Sequence, residues 1–326
     1  MSVSINYDLI LTLASIQKNL FQYGGPILVI LGTIGNLLSC AVFAQKTLRK
    51  NPCSIYFLAF NIASIIVIYG GLFPPVLELG FNIDYSILNL DLCRLRLYVS
   101  VTFSCLCPSY LILASIDRVF ITSSKAHMRR HSSVQTTIIL IIIITLFWFV
   151  CSIPIAIFST ILPLGSDSYI CFTQTNTYTN ILSFGVFAKE ILVPALMIIF
   201  GIWAIKNVHR MKNNTVVPTA FSVQTKQIRN GAPSVQAKDR QLVLILLINI
   251  IIYVPFSSVL PVLLLYNQFT QYNSKSIETV YTEYFVFRVA TYCIYVPYCL
   301  TSYAQLLMSK TFRKELKNVI LHGRFF

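Results

Sequence analysis

Asp117 and Arg118 stand side by side in "LASIDRVF", at the end of the run "YVSVTFSCLCPSYLILASI", which carries no charge of its own. An acid and a base in that place have two uses. The arginine can snorkel to an interface along its apolar stem. Alternatively, the two can neutralise one another as a buried pair that a conformational change breaks, since an unpaired buried charge costs several kcal/mol. Glu190 and Arg288 raise the same question, because they too sit inside apolar runs, where an ionisable group is functional by default. Bond-making chemistry finds no support. The four histidines (His127, His131, His209, His322) show no metal-ligand spacing within a run. No Ser–His arrangement or pair of intramembrane aspartates supplies a nucleophile, and no Gly-rich phosphate loop occurs. The expectation is a protein that is not an enzyme and uses no metal or cofactor.

The elements that must hold these residues follow from composition. Of 326 residues 56% are hydrophobic and 11% charged, against about 25% charged in a soluble domain. The apolar residues form seven blocks near Phe21–Ala44, Ile55–Leu79, Cys93–Ile121, Thr137–Leu162, Ile181–Ile205, Leu242–Tyr266 and Tyr281–Leu307. Each is about as long as a helix needs to be to cross hydrocarbon. Stretches such as "TTIILIIIITLFWFV" do not alternate as barrel strands must, and backbone in lipid must pair within its own segment. The fold class expected is an all-α integral membrane protein, a seven-transmembrane helix bundle. Residues 1–20 form the N-terminal segment, 21–308 the bundle, and 309–326 a short amphipathic helix and tail, with Phe312, Leu316, Val319 and Ile320 on one face. The first twenty residues lack a cleavable signal pattern.

Charge sets the orientation. Most of the 25 Lys and Arg fall in the first, third and fifth loops and the tail, including Lys46, Arg49, Lys50, Arg129, Arg130, Lys206, Arg210, Arg240, Arg313 and Lys317. Positive charge marks the cytoplasm, so the N-terminus is expected outside and the C-terminus inside. The net charge of +14 then faces anionic lipid rather than nucleic acid. Acids sort the other way: Asp8, Glu78, Asp84, Asp91, Asp167, Glu190, Glu278 and Glu283 fall in the outer half. They read either as an acidic mouth that attracts a cationic ligand or as solvated loop charges. The sequon Asn213–Thr215 falls in a cytoplasmic loop and is expected to be unglycosylated.

Several spacings together carry a resemblance. "GTIGNLL" contains a Gly-Asn pair in the first run, Arg118 follows Cys93 by 25 residues, and "YVPF" places Tyr253 two residues before Pro255 in the sixth run. The chain resembles the rhodopsin-like family of G protein-coupled receptors from about Phe21 to Leu321. That resemblance implies a multi-pass plasma-membrane receptor that passes an extracellular signal to a heterotrimeric G protein. It pairs Cys93 with Cys171 in a disulfide over the bundle mouth. These are the two of nine cysteines placed on the outer, oxidising side. It makes Asp117 and Arg118 the switch that frees the arginine for a G protein, and makes Tyr253 and Pro255, with Pro194 in the fifth run, a hinge that lets helix six swing outward. Asn36 would be a buried amide. The position where the family has an aspartate is Ser64, so either the pair replaces that contact or it is an ordinary Asn–Ser contact, and sodium regulation is not implied. The Asn-Pro-x-x-Tyr slot falls on "TSYAQ", a departure that leaves that latch in doubt. Pro108 is a further break without a family counterpart. Arrestin binding would rest on inner-loop sites such as Ser123, Ser124 or Ser222, since few hydroxyls occur in the tail.

The resemblance also narrows the ligand. The amine-receptor aspartate slot is Ser100 and the retinal lysine slot is Tyr295, which disfavours both classes and leaves a peptide as the favoured extracellular ligand. "YICFT" in the second outer loop could form a hairpin strand. Pocket candidates are Ser100, Phe103, Ser104, Glu190, Tyr253, Phe256, Arg288 and Thr291. The rival readings are a receptor for a non-peptide small molecule and a seven-span channel or transporter. The last would need a continuous polar path or matching broken helices.

Overall fold

The computed structural model describes residues 7–46, 48–85, 88–123, 127–128, 132–163, 169–173, 177–214, 232–270, 275–308 and 312–317. Long helices dominate: α1 Tyr7–Phe43, α2 Pro52–Gly80, α3 Leu90–Ile121 and α4 Val134–Phe158, then α5 Thr177–Asn214, α6 Ala232–Thr270 and α7 Ile277–Met308. Between α4 and α5 lies an antiparallel hairpin of β1 Ser159–Pro163 and β2 Tyr169–Thr173, with Ile161 opposite Cys171. Side chains start three of the helices. Asn51 accepts the Cys53 amide with Pro52 at the first helical position, Asn89 accepts the Asp91 amide, and Ser133 the Thr136 amide.

Among the described residues six helices are long and apolar enough to cross a membrane, with Phe187–Asn207 and Val243–Leu263 as the apolar parts of α5 and α6. The protein is therefore an all-α, multi-pass membrane protein. Helix α7 has 32 residues, about 48 Å at 1.5 Å each. It differs in composition, carrying Glu278, Glu283, Arg288 and a series of tyrosines. Several boundaries depart from the sequence reading, among them α5, which runs on to Asn214 rather than Ile205, and α6, which begins at Ala232 rather than Leu242. Helix α1 begins at Tyr7 rather than near Phe21, running through a π turn at Leu20–Gly24 into the apolar stretch. Helix α4 stops at Phe158, and Ser159–Leu162, apolar enough to extend a helix, are taken by the hairpin ladder instead.

The helices close a ring. Each of α1, α2 and α3 packs on the next, α3 on α5, α5 on α6, α6 on α7, and α7 on α1, while α4 lies outside on α2 and α3. Ile139, Ile143, Leu146 and Val150 of α4 are accordingly exposed. The core lies where α2, α3, α5, α6 and α7 converge, around Phe57, Leu106, Met197, Leu246 and Tyr298. Helix α2 widens into π turns at Ile68–Leu72 and Val76–Gly80. At Gly71 a Cβ would stand 2.7 Å from the Tyr295 ring and 3.0 Å from the Ser100 hydroxyl oxygen, so glycine is what lets α7 and α3 approach there.

One polar pairing is corrected. Asn36 and Ser64 are both fully buried, but Asn36 donates to the carbonyls of Gly32 (2.7 Å) and Tyr298 (2.9 Å), tying α1 to α7. Ser64 donates to Phe60 O (2.8 Å) and meets the Cys107 thiol at 3.8 Å. Backbone carbonyls within reach outcompete a hydroxyl on a helix face turned to α3.

Candidate functional site

Three polar layers stack along the bundle. At one end of α3, Arg118 is completely buried and donates to Asp117 Oδ2 at 2.7 Å and to Asn51 Oδ1 at 2.9 Å. Asp117 Oδ1 accepts from Ser132. The Asn51 side chain therefore caps α2 and holds the guanidinium at once. Charge-assisted bonds of this length are the strong kind, and in a buried site each must be replaced before the arginine can leave. Asp117 also borders a cavity of about 300 Å³ between α2, α3 and α4, with Tyr56 and Thr137 on its wall.

The middle layer surrounds Tyr253. Its ring lies edge-on to Tyr298 at 6.5 Å, and the Tyr298 hydroxyl reaches Ser104 O at 3.4 Å. On α5, Lys189 and Glu190 form an ion pair at 2.6 Å, with Glu190 only 4% exposed. Glu190 Oε2 is buried and has no hydrogen-bond partner. Pro194 is buried one turn further along α5, while Pro255 faces outward from the bundle on α6. Both helices run unbroken through these prolines.

The layer at the other end of α3, where that helix begins, is ionic. Arg96 of α3 lies 3.6 Å from Glu78 and 3.9 Å from Asp84, and Arg288 of α7 lies 3.5 Å from Glu78. Arg288 also donates to the Tyr284 hydroxyl at 2.8 Å and stacks over that ring. Lys275 meets Glu283 at 2.7 Å. Glu78, Asp84, Glu190 and Glu283 are thus each matched by a base, so these four are not the unneutralised acids that an acidic mouth requires. Across this end Cys93 and Cys171 form a disulfide with Cα atoms 5.6 Å apart. Arg94 Nε donates to Ser159 O at 3.2 Å, fastening the hairpin to α3 a second time. The strand expected at "YICFT" is β2.

The pocket candidates do not gather round one described cavity. Ser100 and the Tyr295 hydroxyl both close in on Gly71, so the two slots that argued against amines and retinal lie side by side. Phe103 turns to Phe149 of α4 (5.8 Å). Ser104 and Thr291 donate to the carbonyls of Val101 and Phe287 on their own helices. Phe256 is half-buried. Glu190 and Arg288 are engaged as above. The described cavities near the outer end open instead between α2 and α3, beside Arg96 and Tyr85, and between α6, α7 and the start of α1. Among the described residues no group of His, Cys, Asp and Glu could hold a metal. Ser124, Asp167, Ser222, Val319 and Ile320 lie outside the described residues, whereas Phe312 is 2% exposed and packs on Phe43 at 5.4 Å.

Sequence reasoning missed Asn51, Ser132, Arg96 and Lys275. Asn51 left a signal, an Asn-Pro pair before an apolar run, which reads as a helix cap. Ser132 and Lys275 are loop residues and Arg96 lies two turns into α3, and the partners of all three lie on other elements. No family model and no curated protein matches the chain, so the geometry carries the functional argument by itself.

Proposed function

We propose that this chain is a seven-span receptor of the rhodopsin-like kind, with its N-terminus outside the plasma membrane and its C-terminus in the cytoplasm. An extracellular ligand, a peptide by preference, would shift the bundle toward a state that activates a heterotrimeric G protein. The observation that carries this is Arg118. It is a fully buried charge at the end of the central helix, held by Asp117 and Asn51 through separable hydrogen bonds. In this reading the paired arrangement is the resting state, and release of the arginine is the second state toward which a ligand would shift the bundle. Helix α7 serves as the seventh span in this reading. It closes the ring between α6 and α1, and Tyr292 and Tyr298 are buried inside the bundle, where their polarity does not meet lipid. Tyr253, edge-on to Tyr298 and near the Lys189–Glu190 pair, would link the outer half to the proline-containing part of α6. Phe312 and Leu316 pack the final short helix against the inner core, which favours inner-leaflet lipid as a partner, with arrestin as a second cytoplasmic one.

The test is G protein activation in cells expressing the chain, screened with a peptide library beside an Arg118→Ala variant. A peptide response abolished in Arg118→Ala at unchanged surface expression supports the reading. Current or solute uptake in voltage-clamped cells, with no G protein response to any peptide, replaces it with a channel or transporter.

A further inference from the structure

The cavity between the start of α1, the outer end of α6 and that of α7 has a volume of about 450 Å³, within the size range of small-ligand sites. Its wall is two-sided. Leu9, Leu263 and Phe287 give apolar surface, while Tyr266, Glu278 and Glu283 give an aromatic face and carboxylates. Glu283 Oε1 is buried and accepts no hydrogen bond. Its other oxygen holds the Lys275 ammonium at 2.7 Å, and that same ammonium bonds to Thr270 Oγ1 at 2.9 Å and stands 5.5 Å from the Tyr266 ring centre. A carboxylate, a hydroxyl and an aromatic face around one cation form a complete recognition set for an ammonium or guanidinium. Here a residue of the chain's own outer loop occupies it.

We infer that this cavity binds a basic side chain of an extracellular peptide, flanked by an apolar residue, and that Lys275 is the internal competitor which the ligand's cation displaces from Glu283. The apolar half of the wall takes the neighbouring side chain, and the second Glu283 oxygen accepts the extra donors that a guanidinium has and an ammonium lacks. The exchange costs little, because one cation replaces another on a pair that stays near the surface, with Lys275 and Glu283 side chains 18% and 20% exposed. The helical start of α1 supplies Leu9 and so completes the site. The peptide class rests on the receptor reading above, whereas the binding chemistry does not.

The test uses the full chain in lipid nanodiscs, with N-acetyl-phenylalanyl-arginine amide as the probe and its citrulline counterpart, equal in shape but uncharged, as control. The expected result is saturable binding of the arginine compound at least roughly tenfold tighter than of the citrulline one. Glu283→Gln should erase that preference. Lys275→Ala should strengthen arginine binding by about tenfold, as removal of a competitor raises the competent fraction. Equal binding of both probes, or Lys275→Ala and Glu283→Gln shifting affinity in the same direction, overturns the inference, since an ion pair that only braces the loop predicts the latter. The two readings fail separately. A peptide that activates G protein equally well in Glu283→Gln sinks this site and leaves the receptor. Charge-selective binding in nanodiscs without any G protein response sinks the receptor and leaves the site.

Discussion

The two ends of α3 hold arginines in opposite ways. Arg118 is fully buried, with partners at 2.7 and 2.9 Å. Arg96 is partly exposed, and its two carboxylates stand 3.6 and 3.9 Å away, beyond good hydrogen-bond length. Arg288 at the same end is held at 3.5 Å. The difference is one of cost. A buried pair resists partial loosening, because half of it left behind is a desolvated charge. Long, wetter pairs exchange partners for little. One end thus holds its arginine in short, buried bonds, the other in longer and more exposed ones.

The comparison can be broken most decisively at the Arg118 end. Asp117→Ala leaves Arg118 buried without its carboxylate, and should lower folding stability by about 3–5 kcal/mol while raising basal G protein activation. Thermal unfolding of the purified chain and ligand-free signalling read both effects. Unchanged values in either would mean that Arg118 is not held by this pair. Glu190→Gln asks whether the middle layer belongs with that end. Its pair is short and buried, so a loss of about 3 kcal/mol is expected. A loss below about 1 kcal/mol would place it with the outer surface instead. Asn51→Ala removes a helix cap together with one charge-assisted bond, worth about 2 kcal/mol in sum. The sharpening control is Asn51→Asp, which keeps the cap and adds a charge facing Arg118, and which should hold basal signalling at or below that of the parent. The smallest effect belongs to Glu78→Gln. Touching both outer arginines only at 3.5 and 3.6 Å, it should cost under about 1 kcal/mol and weaken further in salt. A loss as large as that of Asp117→Ala would erase the distinction between the ends.

Much of the Arg118 pairing was legible beforehand. Asp117 and Arg118 are neighbours at the end of a charge-free stretch long enough to cross a membrane, and adjacency alone makes their pairing easy to foresee. Adjacency did not help with Lys189 and Glu190. Neighbours on a helix point about 100° apart, and it is burial on α5 that sets the lysine against the glutamate at 2.6 Å. The ligand candidates fared differently again. Their depth was inferred from spacing down each run, but spacing does not say which way a side chain turns. Phe103 faced α4, and Ser104 and Thr291 turned to their own backbones.

By itself the sequence determined the solvent and the element. Runs of some twenty apolar residues with few charges can only be membrane helices, because lipid offers the backbone no other partner. It also determined that Cys93 and the Asp117–Arg118 pair lie about 25 residues apart along one of them. Tertiary structure alone decided how the polar groups are matched. Asn36 found a carbonyl of α7 rather than Ser64, the outer acids found Arg96, Arg288 and Lys275, and the start of α1 became the wall of a cavity. Those matches depend on which helix faces meet across the ring. Hydrophobic patterning is nearly silent on that point when the solvent outside the bundle is as apolar as the core.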